Sequence, residues 1–116
     1  MSILLVRTPT SRGNLASIAE TQFGDMVKAV VDLGRRVMAV GGELHSDEEA
    51  ALLEDGSRQQ DLWGINLYPG EHGEEWIEFD SMINIRPSQG NRSRGVDDPG
   101  LRRAIVAVVA ALVPGD

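Results

Sequence analysis

The chain has 116 residues, a length typical of one domain, and we predict a single domain over residues 1–116. It contains no cysteine, which excludes disulfides, thiolate metal sites and thiol nucleophiles. Its formal net charge of −7 disfavours binding to nucleic acid through overall charge, although it leaves a local contact with RNA open.

Residues 1–13 are predicted to be an irregular arm or a short edge strand. Their longest apolar run has four residues, which is too short for a signal sequence or a membrane span, so we expect a cytoplasmic protein. A short amphipathic helix follows. Asn14 is its predicted N-cap, Leu15 and Ile18 lie on its apolar face, and Gly24 follows its end.

The next two elements form a predicted β-hairpin. The stretch "MVKAVVDLGRRVMAVGGEL" contains two apolar runs that are separated at residues 33–35. Because side chains alternate along a strand, Val27 and Val31 fall on one face of the first strand, and Lys28 and Asp32 on the other.

A second helix is predicted over residues 47–55, after a capping box formed by Ser46 and Glu49. The stretches "DLWGINLY" and "WIEFDSMINIR" both alternate apolar and polar residues, and the turn "PGEHGE" joins them into a second hairpin. A C-terminal helix has Pro99 at its first position and ends before Pro114. The order α-β-β-α-β-β-α predicts an α+β fold, with a mostly antiparallel four-stranded sheet and helices packed on one face.

Such a sheet leaves its second face open. The side chains predicted for that face are Glu43, His45, Asn66, Tyr68, Glu78, Asp80, Asn84 and Arg86. Trp76 and Tyr68 would form apolar walls, since aromatic residues are enriched where interfaces form. The alternatives are a solvated back surface and a homodimer that packs sheet on sheet.

An arginine-rich run stands out in this acidic chain. Residues 81–96 contain three arginines and no carboxylate. An arginine guanidinium matches phosphate or carboxylate with two parallel hydrogen bonds, so Arg86, Arg92 and Arg94 are predicted anion clamps, with Asn84 and Asn91 as orienting amides. The alternative is that the arginines pair with carboxylates of the chain itself. No nucleotide-binding motif is present.

Glu43 and His45 form the second candidate site, together with Asp80. These residue types could act as metal ligands or as a general base, although a hairpin end that runs into a helix explains the first two equally well. Neither a metal nor a cofactor is assigned. A hydrolase hypothesis built on these residues requires that His45, Asp80 and Arg86 share one pocket.

Two blocks of the sequence carry a resemblance. They are "GGELHSDEEAALLEDGSRQQDLWGINLYP" and "IEFDSMINIRPSQGNRSRGVDDP". With them, residues 23–112 resemble a family of short prokaryotic proteins that is known as a domain of unknown function, and the first twenty or so residues look less typical. The resemblance implies no activity, ligand or catalytic residue.

Three functional hypotheses follow from the sequence. The first is a binding module, forming a homo-oligomer, that holds an anionic small molecule or a partner protein with the arginine-rich run and the open sheet face. The second is a hydrolase of phosphoesters or amides that uses Glu43, His45 and Asp80 and the arginines. The third is a structural homo-oligomer or assembly protein.

Overall fold

A computed structural model describes residues 3–115, which form three α-helices and a five-stranded antiparallel sheet. The strands are β1 (Leu4–Val6), β2 (Val27–Asp32), β3 (Val37–Val40), β4 (Leu62–Leu67) and β5 (Ile77–Glu78), and the helices are α1 (Arg12–Glu20), α2 (His45–Glu54) and α3 (Pro99–Leu112). The order across the sheet is β1-β3-β2-β4-β5. The predicted α+β class is confirmed.

The predicted strand count was one too low. Leu4–Val6 pairs with β3 and forms an edge of the sheet, so a strand precedes the first helix. Residues 1, 2 and 116 lie outside the described residues, so the predicted domain and its N-terminal arm can be followed only from residue 3. No helix within residues 3–115 is both long enough and apolar enough to cross a membrane.

Helices cover both faces of the sheet, so the prediction that they pack on one face was wrong. The strands present apolar side chains on both sides. On one side, Val31 and Trp63 pack under α1 and α3. On the other, Val30 and Leu62 pack against Leu52 of α2. We call these the α1/α3 layer and the α2 layer. The predicted open face is therefore largely covered.

The long last strand predicted from "WIEFDSMINIR" ends after two residues, at Glu78. The chain then crosses the α2 layer through residues 79–96, which we call the arginine loop, with 3₁₀ turns at Met82–Asn84 and Pro87–Gln89. The Ser81 hydroxyl caps the first turn by accepting a hydrogen bond from the Ile83 N–H at 3.3 Å. Local side-chain bonding of this kind competes with strand pairing, and it explains why the alternating pattern is misleading here.

Gly64 permits the close approach of the arginine loop to β4. A methyl group at this position would lie 2.5 Å from Ser81 Oγ and 2.6 Å from Ser81 Cβ. We expect Gly64→Ala to lower the free energy of unfolding by about 3 kcal/mol, because the loop must move away from the sheet. Urea denaturation measures the effect. Gly70→Ala, which would meet nothing within 4 Å, is the matched control, and an equal loss in both variants would contradict the explanation.

Candidate functional site

The predicted ligand residues Asn84 and Arg86 close the edge of β4. Strand β5 pairs only with the last two residues of β4, which leaves the edge open at Gly64. Asn84 fills the gap: its Oδ1 accepts the Gly64 N–H at 2.8 Å, and its Nδ2 donates to the Gly64 carbonyl at 2.9 Å and to the Arg94 carbonyl at 3.0 Å. Asn84 is fully buried, so its amide is used within the chain.

Arg86, two residues after Asn84, covers the same edge of β4 at Leu62, two residues before Gly64. Its guanidinium donates to the backbone carbonyls of Leu62, Gln59 (2.9 Å) and Ile83 (3.0 Å). It also stacks 4.6 Å from the ring centroid of Trp63, and burial lowers its pKa. These contacts take the place of strand pairing. The guanidinium N–H groups that were predicted to bind an anion therefore bond to the protein's own backbone.

Asn91 organises the arginine loop from within. Its Nδ2 donates to the carbonyls of Asn84 (2.7 Å) and Gly95 (2.8 Å), and its Oδ1 accepts the Asp97 N–H at 2.8 Å. The side chain is buried and makes bonds only to backbone groups. Asn91 could orient a ligand only by giving up these hydrogen bonds, which would disrupt the loop.

The remaining two arginines differ in their surroundings. Arg94 donates from Nε to the Asp80 carboxylate at 2.7 Å, which is the internal pairing that the sequence analysis gave as an alternative. Arg92 is exposed, and its backbone N–H bonds to Asp97. Both guanidinium groups can reach solvent, so a ligand role for these two stays a prediction.

A pocket of about 320 Å³ lies between the N-terminus of α2 and the arginine loop, and we call it the α2 pocket. It brings together four of the predicted residues, His45, Asn66, Asp80 and Arg94. Its full lining is Lys28, Leu44, His45, Ser46, Asn66, Asp80, Ser81, Met82, Ile83 and Arg94. The other predicted site residues, Arg86 and Arg92 included, do not line it.

His45 is buried as the first residue of α2, and its ring is fixed by the backbone. Nε2 lies 2.8 Å from the Ile65 carbonyl, so it must carry the proton, and Nδ1 is the acceptor of the neutral ring. Burial is the largest influence and lowers the pKa of His45; the Ile65 carbonyl opposes it, and Lys28 adds to the lowering. Asp80 and Asn66 raise the pKa by less. The imidazole is therefore neutral at pH 7.

Lys28 is the one lysine of the chain, and it is not among the predicted site residues. It lies on β2 directly opposite Asn66 of β4 and lines the α2 pocket. Its ammonium is 5.5 Å from the ring centroid of Phe23. Among residues 3–115, no carboxylate lies within 4.0 Å of this ammonium. The clue in the sequence was the single lysine of the chain, at a polar-face position of a strand rich in valine.

Asn66 carries an unused acceptor in the same pocket. Its Nδ2 donates to Glu78 Oε1 at 2.8 Å and to the Asp80 carbonyl at 3.4 Å. Its Oδ1 is buried and has no hydrogen-bond partner at normal geometry within the described part of the chain, although the Asn66 side chain lies close enough to the His45 ring to raise the pKa of His45. Buried polar atoms are nearly always paired, so this oxygen is a place where a ligand donor would fit.

Glu48 is a buried acid in α2, about one turn after His45. Its Oε2 accepts the Gly42 N–H at 2.9 Å, while Oε1 is buried without a partner within residues 3–115. The side chain is completely buried, and burial raises its pKa to about 9. The Gly42 N–H and Lys28 act in the opposite direction and are outweighed. Glu48 is therefore a neutral carboxylic acid at pH 7.

Trp76 and Tyr68 do not form the walls of a common site. The prediction placed both on the open face, but Trp76 is buried in the α1/α3 layer, where the Arg12 guanidinium lies 3.8 Å from its ring centroid. Tyr68 is half-buried, and its hydroxyl donates to Glu78 Oε1 at 3.2 Å. Burial raises the pKa of Tyr68, with Glu78 adding to the effect.

The geometry does not meet the condition set for the hydrolase. Arg86 lies against Leu62 and Gln59, outside the pocket that contains His45 and Asp80. Glu43 is exposed and does not line the pocket either. Within residues 3–115, no group of three histidine, aspartate or glutamate side chains is placed to hold a metal ion. The residues on which the hydrolase hypothesis depended are therefore not assembled.

Comparison with sequence families matches residues 4–112 to the family described as protein of unknown function (DUF5674). The chain is a DUF5674 protein. The match begins in β1, so the family includes the N-terminal strand and α1 as well as the two blocks that carry the resemblance. Searches of curated proteins and of solved structures gave no match. What this DUF5674 protein does must be inferred from the α2 pocket itself.

Proposed function

We propose that the protein binds a small anionic molecule in the α2 pocket. One observation carries this proposal: an ammonium group without an ion-pair partner, Lys28, lies in the same pocket as the unpaired and buried oxygen of Asn66. Lys28 and the Asn66 oxygen attract opposite parts of one ligand, an anion and a hydrogen-bond donor. Arg94 lines the same pocket as an ion pair with Asp80, whose carboxylate offsets its charge, so Lys28 is the uncompensated cation.

The pocket restricts the chemistry of its ligand. A volume of about 320 Å³ is at the lower end of the range for small-molecule sites. The ligand would carry a carboxylate or phosphate toward Lys28 and an adjacent O–H or N–H toward Asn66. Leu44 and Met82 are exposed apolar side chains in the lining, and they would contact the carbon skeleton. Small hydroxy acids, amino acids and phosphorylated metabolites have this arrangement of groups.

A thermal-shift screen with these three compound classes tests the proposal. A ligand at 100 times its Kd stabilises the native state by about 2.7 kcal/mol, so a true ligand raises the Tm of the wild-type protein. We expect the shift to disappear in Lys28→Gln and to weaken in Arg94→Gln. Arg92→Gln is the matched control, because Arg92 belongs to the same loop but lies outside the pocket, and its shift should equal that of the wild type.

The single lysine provides a second readout that does not depend on stability. An amine-selective acylating reagent can modify only Lys28 and the N-terminal amine. A ligand found in the screen should protect Lys28 from acylation and leave the N-terminus reactive, as measured by peptide mass spectrometry. A Tm shift that survives Lys28→Gln but is lost in Arg92→Gln would contradict the proposal and return the anion site to the exposed arginine loop. The absence of any shift together with the absence of protection would also reject it.

A further inference from the structure

An apolar groove lies on the α1/α3 layer, on the other side of the sheet from the α2 pocket. It has a volume of about 820 Å³ and runs between α3 on one side and β5 with the preceding turn Gly73–Glu75 on the other. Trp76, Ile77 and Phe79 line one wall, and Val106, which is 43% exposed, projects from the other. We call it the α3 groove.

The groove follows a free sheet edge. Strand β5 is the last strand of the sheet and pairs with β4 on one side only. The Trp76 carbonyl accepts the Tyr68 N–H at 2.9 Å, so it points toward β4. Backbone groups of successive strand residues point in opposite directions, and the N–H and carbonyl of Ile77 therefore point outward. Unpaired edge groups of this kind accept a further strand.

The charges at the two ends of the groove are opposite. Helix α3 runs antiparallel to β5. Gly95, four residues before the helix, packs against the Phe79 carbonyl, while Leu112 at the helix end bonds to Thr10, close in sequence to the Arg12 that stacks on Trp76. Arg103, in the first half of α3, is thus at the Phe79 end, while Glu74 is at the other end. Among residues 3–115, neither Glu74 nor Arg103 has an ion-pair partner.

We propose that the α3 groove binds a second copy of this chain through a two-fold axis beside Ile77. Antiparallel pairing of the two β5 strands would satisfy the outward groups of Ile77 on both copies. The same rotation brings Glu74 of one copy to Arg103 of the other, twice, and places Val106 against the partner's groove. An interface that uses one surface patch on both subunits requires this self-complementarity. This inference is independent of the proposed ligand site.

Light scattering after size-exclusion chromatography tests the proposal. The wild-type protein is expected to elute with twice the mass of the 12.6 kDa chain. Val106→Glu and Arg103→Glu are each expected to give a monomer, because the first places a carboxylate against the apolar wall of the partner's groove and the second places one against the partner's Glu74. The double variant Arg103→Glu/Glu74→Arg exchanges the two charges on every copy and should restore the dimer. Arg58→Glu, an exposed arginine that does not line the groove, is the matched control and should remain dimeric.

Two results would overturn the proposal. A wild-type protein that is monomeric across the accessible concentration range would show that the groove does not bind a second copy. A dimer that persists in both Val106→Glu and Arg103→Glu would show that association uses another surface. Circular dichroism melts of each variant establish that a monomer is folded, and Arg103→Glu decides the question if Val106→Glu does not fold.

Discussion

Glu48→Gln is expected to raise the free energy of unfolding by on the order of 3 kcal/mol at pH 7. The fold raises the pKa of this buried acid from 4.5 to about 9, so the folded chain holds a proton that the unfolded chain releases at neutral pH. The stability that the neutral acid provides is complete below pH 4.5 and is lost progressively up to about pH 9. Glutamine stays neutral throughout, and its oxygen can still accept the Gly42 N–H.

Urea denaturation of both proteins between about pH 5 and about pH 9 measures this effect. The gain from Glu48→Gln should be small at the acidic end and should grow as the pH rises. Glu54→Gln, on the exposed end of the same helix, is the matched control and should show no such growth. If Glu48→Gln destabilises the protein at every pH, the carboxylate is ionised in the fold, and Lys28 becomes its counter-ion instead of a free cation.

Asn84→Ala is expected to lower the free energy of unfolding by about 3–5 kcal/mol, because it leaves several buried backbone groups without partners. The affected groups are the N–H and carbonyl of Gly64 and the carbonyl of Arg94. Each unsatisfied buried group costs about 1–3 kcal/mol, and the loop loses its main attachment to β4. Asn84→Asp should be at least as harmful, because it places an oxygen opposite two carbonyl oxygens.

Two measurements check this result. Chemical denaturation gives the loss in stability, and Asn14→Ala, an exposed asparagine on α1, is the control that should change it by less than about 1 kcal/mol. Limited proteolysis should cut the variant first within residues 79–96, since release of the arginine loop precedes global unfolding. A variant that unfolds at wild-type urea concentrations would show that the side chain does not close the edge of β4.

Local patterns were sufficient for much of the fold. Pro99 at the first helical position predicted the start of α3, and alternation placed Val27 and Val31 of β2 on the side that packs under α1 and α3. The sequence also contains the information that the second face of the sheet is covered. Val30, Ala39 and Leu62 are apolar at positions that alternate with the side chains facing α1 and α3, and a strand that is apolar on both faces needs cover on both.

The arginine loop could not be predicted in this way. An alternating segment fits a paired strand and also fits a loop whose side chains bond to a neighbouring strand edge. The difference depends on whether Asn84 and Arg86 point outward or along the sheet, which only the tertiary contacts with β4 determine.

The sequence predicted some of the residues of the α2 pocket and missed others, for a related reason. His45 and Asp80 were chosen by residue type, whereas Lys28 joins them only because β2 lies beside β4.

The arrangement of the two layers has a consequence for synthesis on the ribosome. The α2 layer uses side chains from the first two-thirds of the chain, such as Leu52 and Leu62, with Ile83 at its margin. The α1/α3 layer joins the two ends of the chain: Val6 and Val113 belong to it, and the Thr10 N–H bonds to the Leu112 carbonyl at 2.8 Å. A nascent chain can therefore close the α2 layer early, while the α1/α3 layer is complete only after the last helix has emerged.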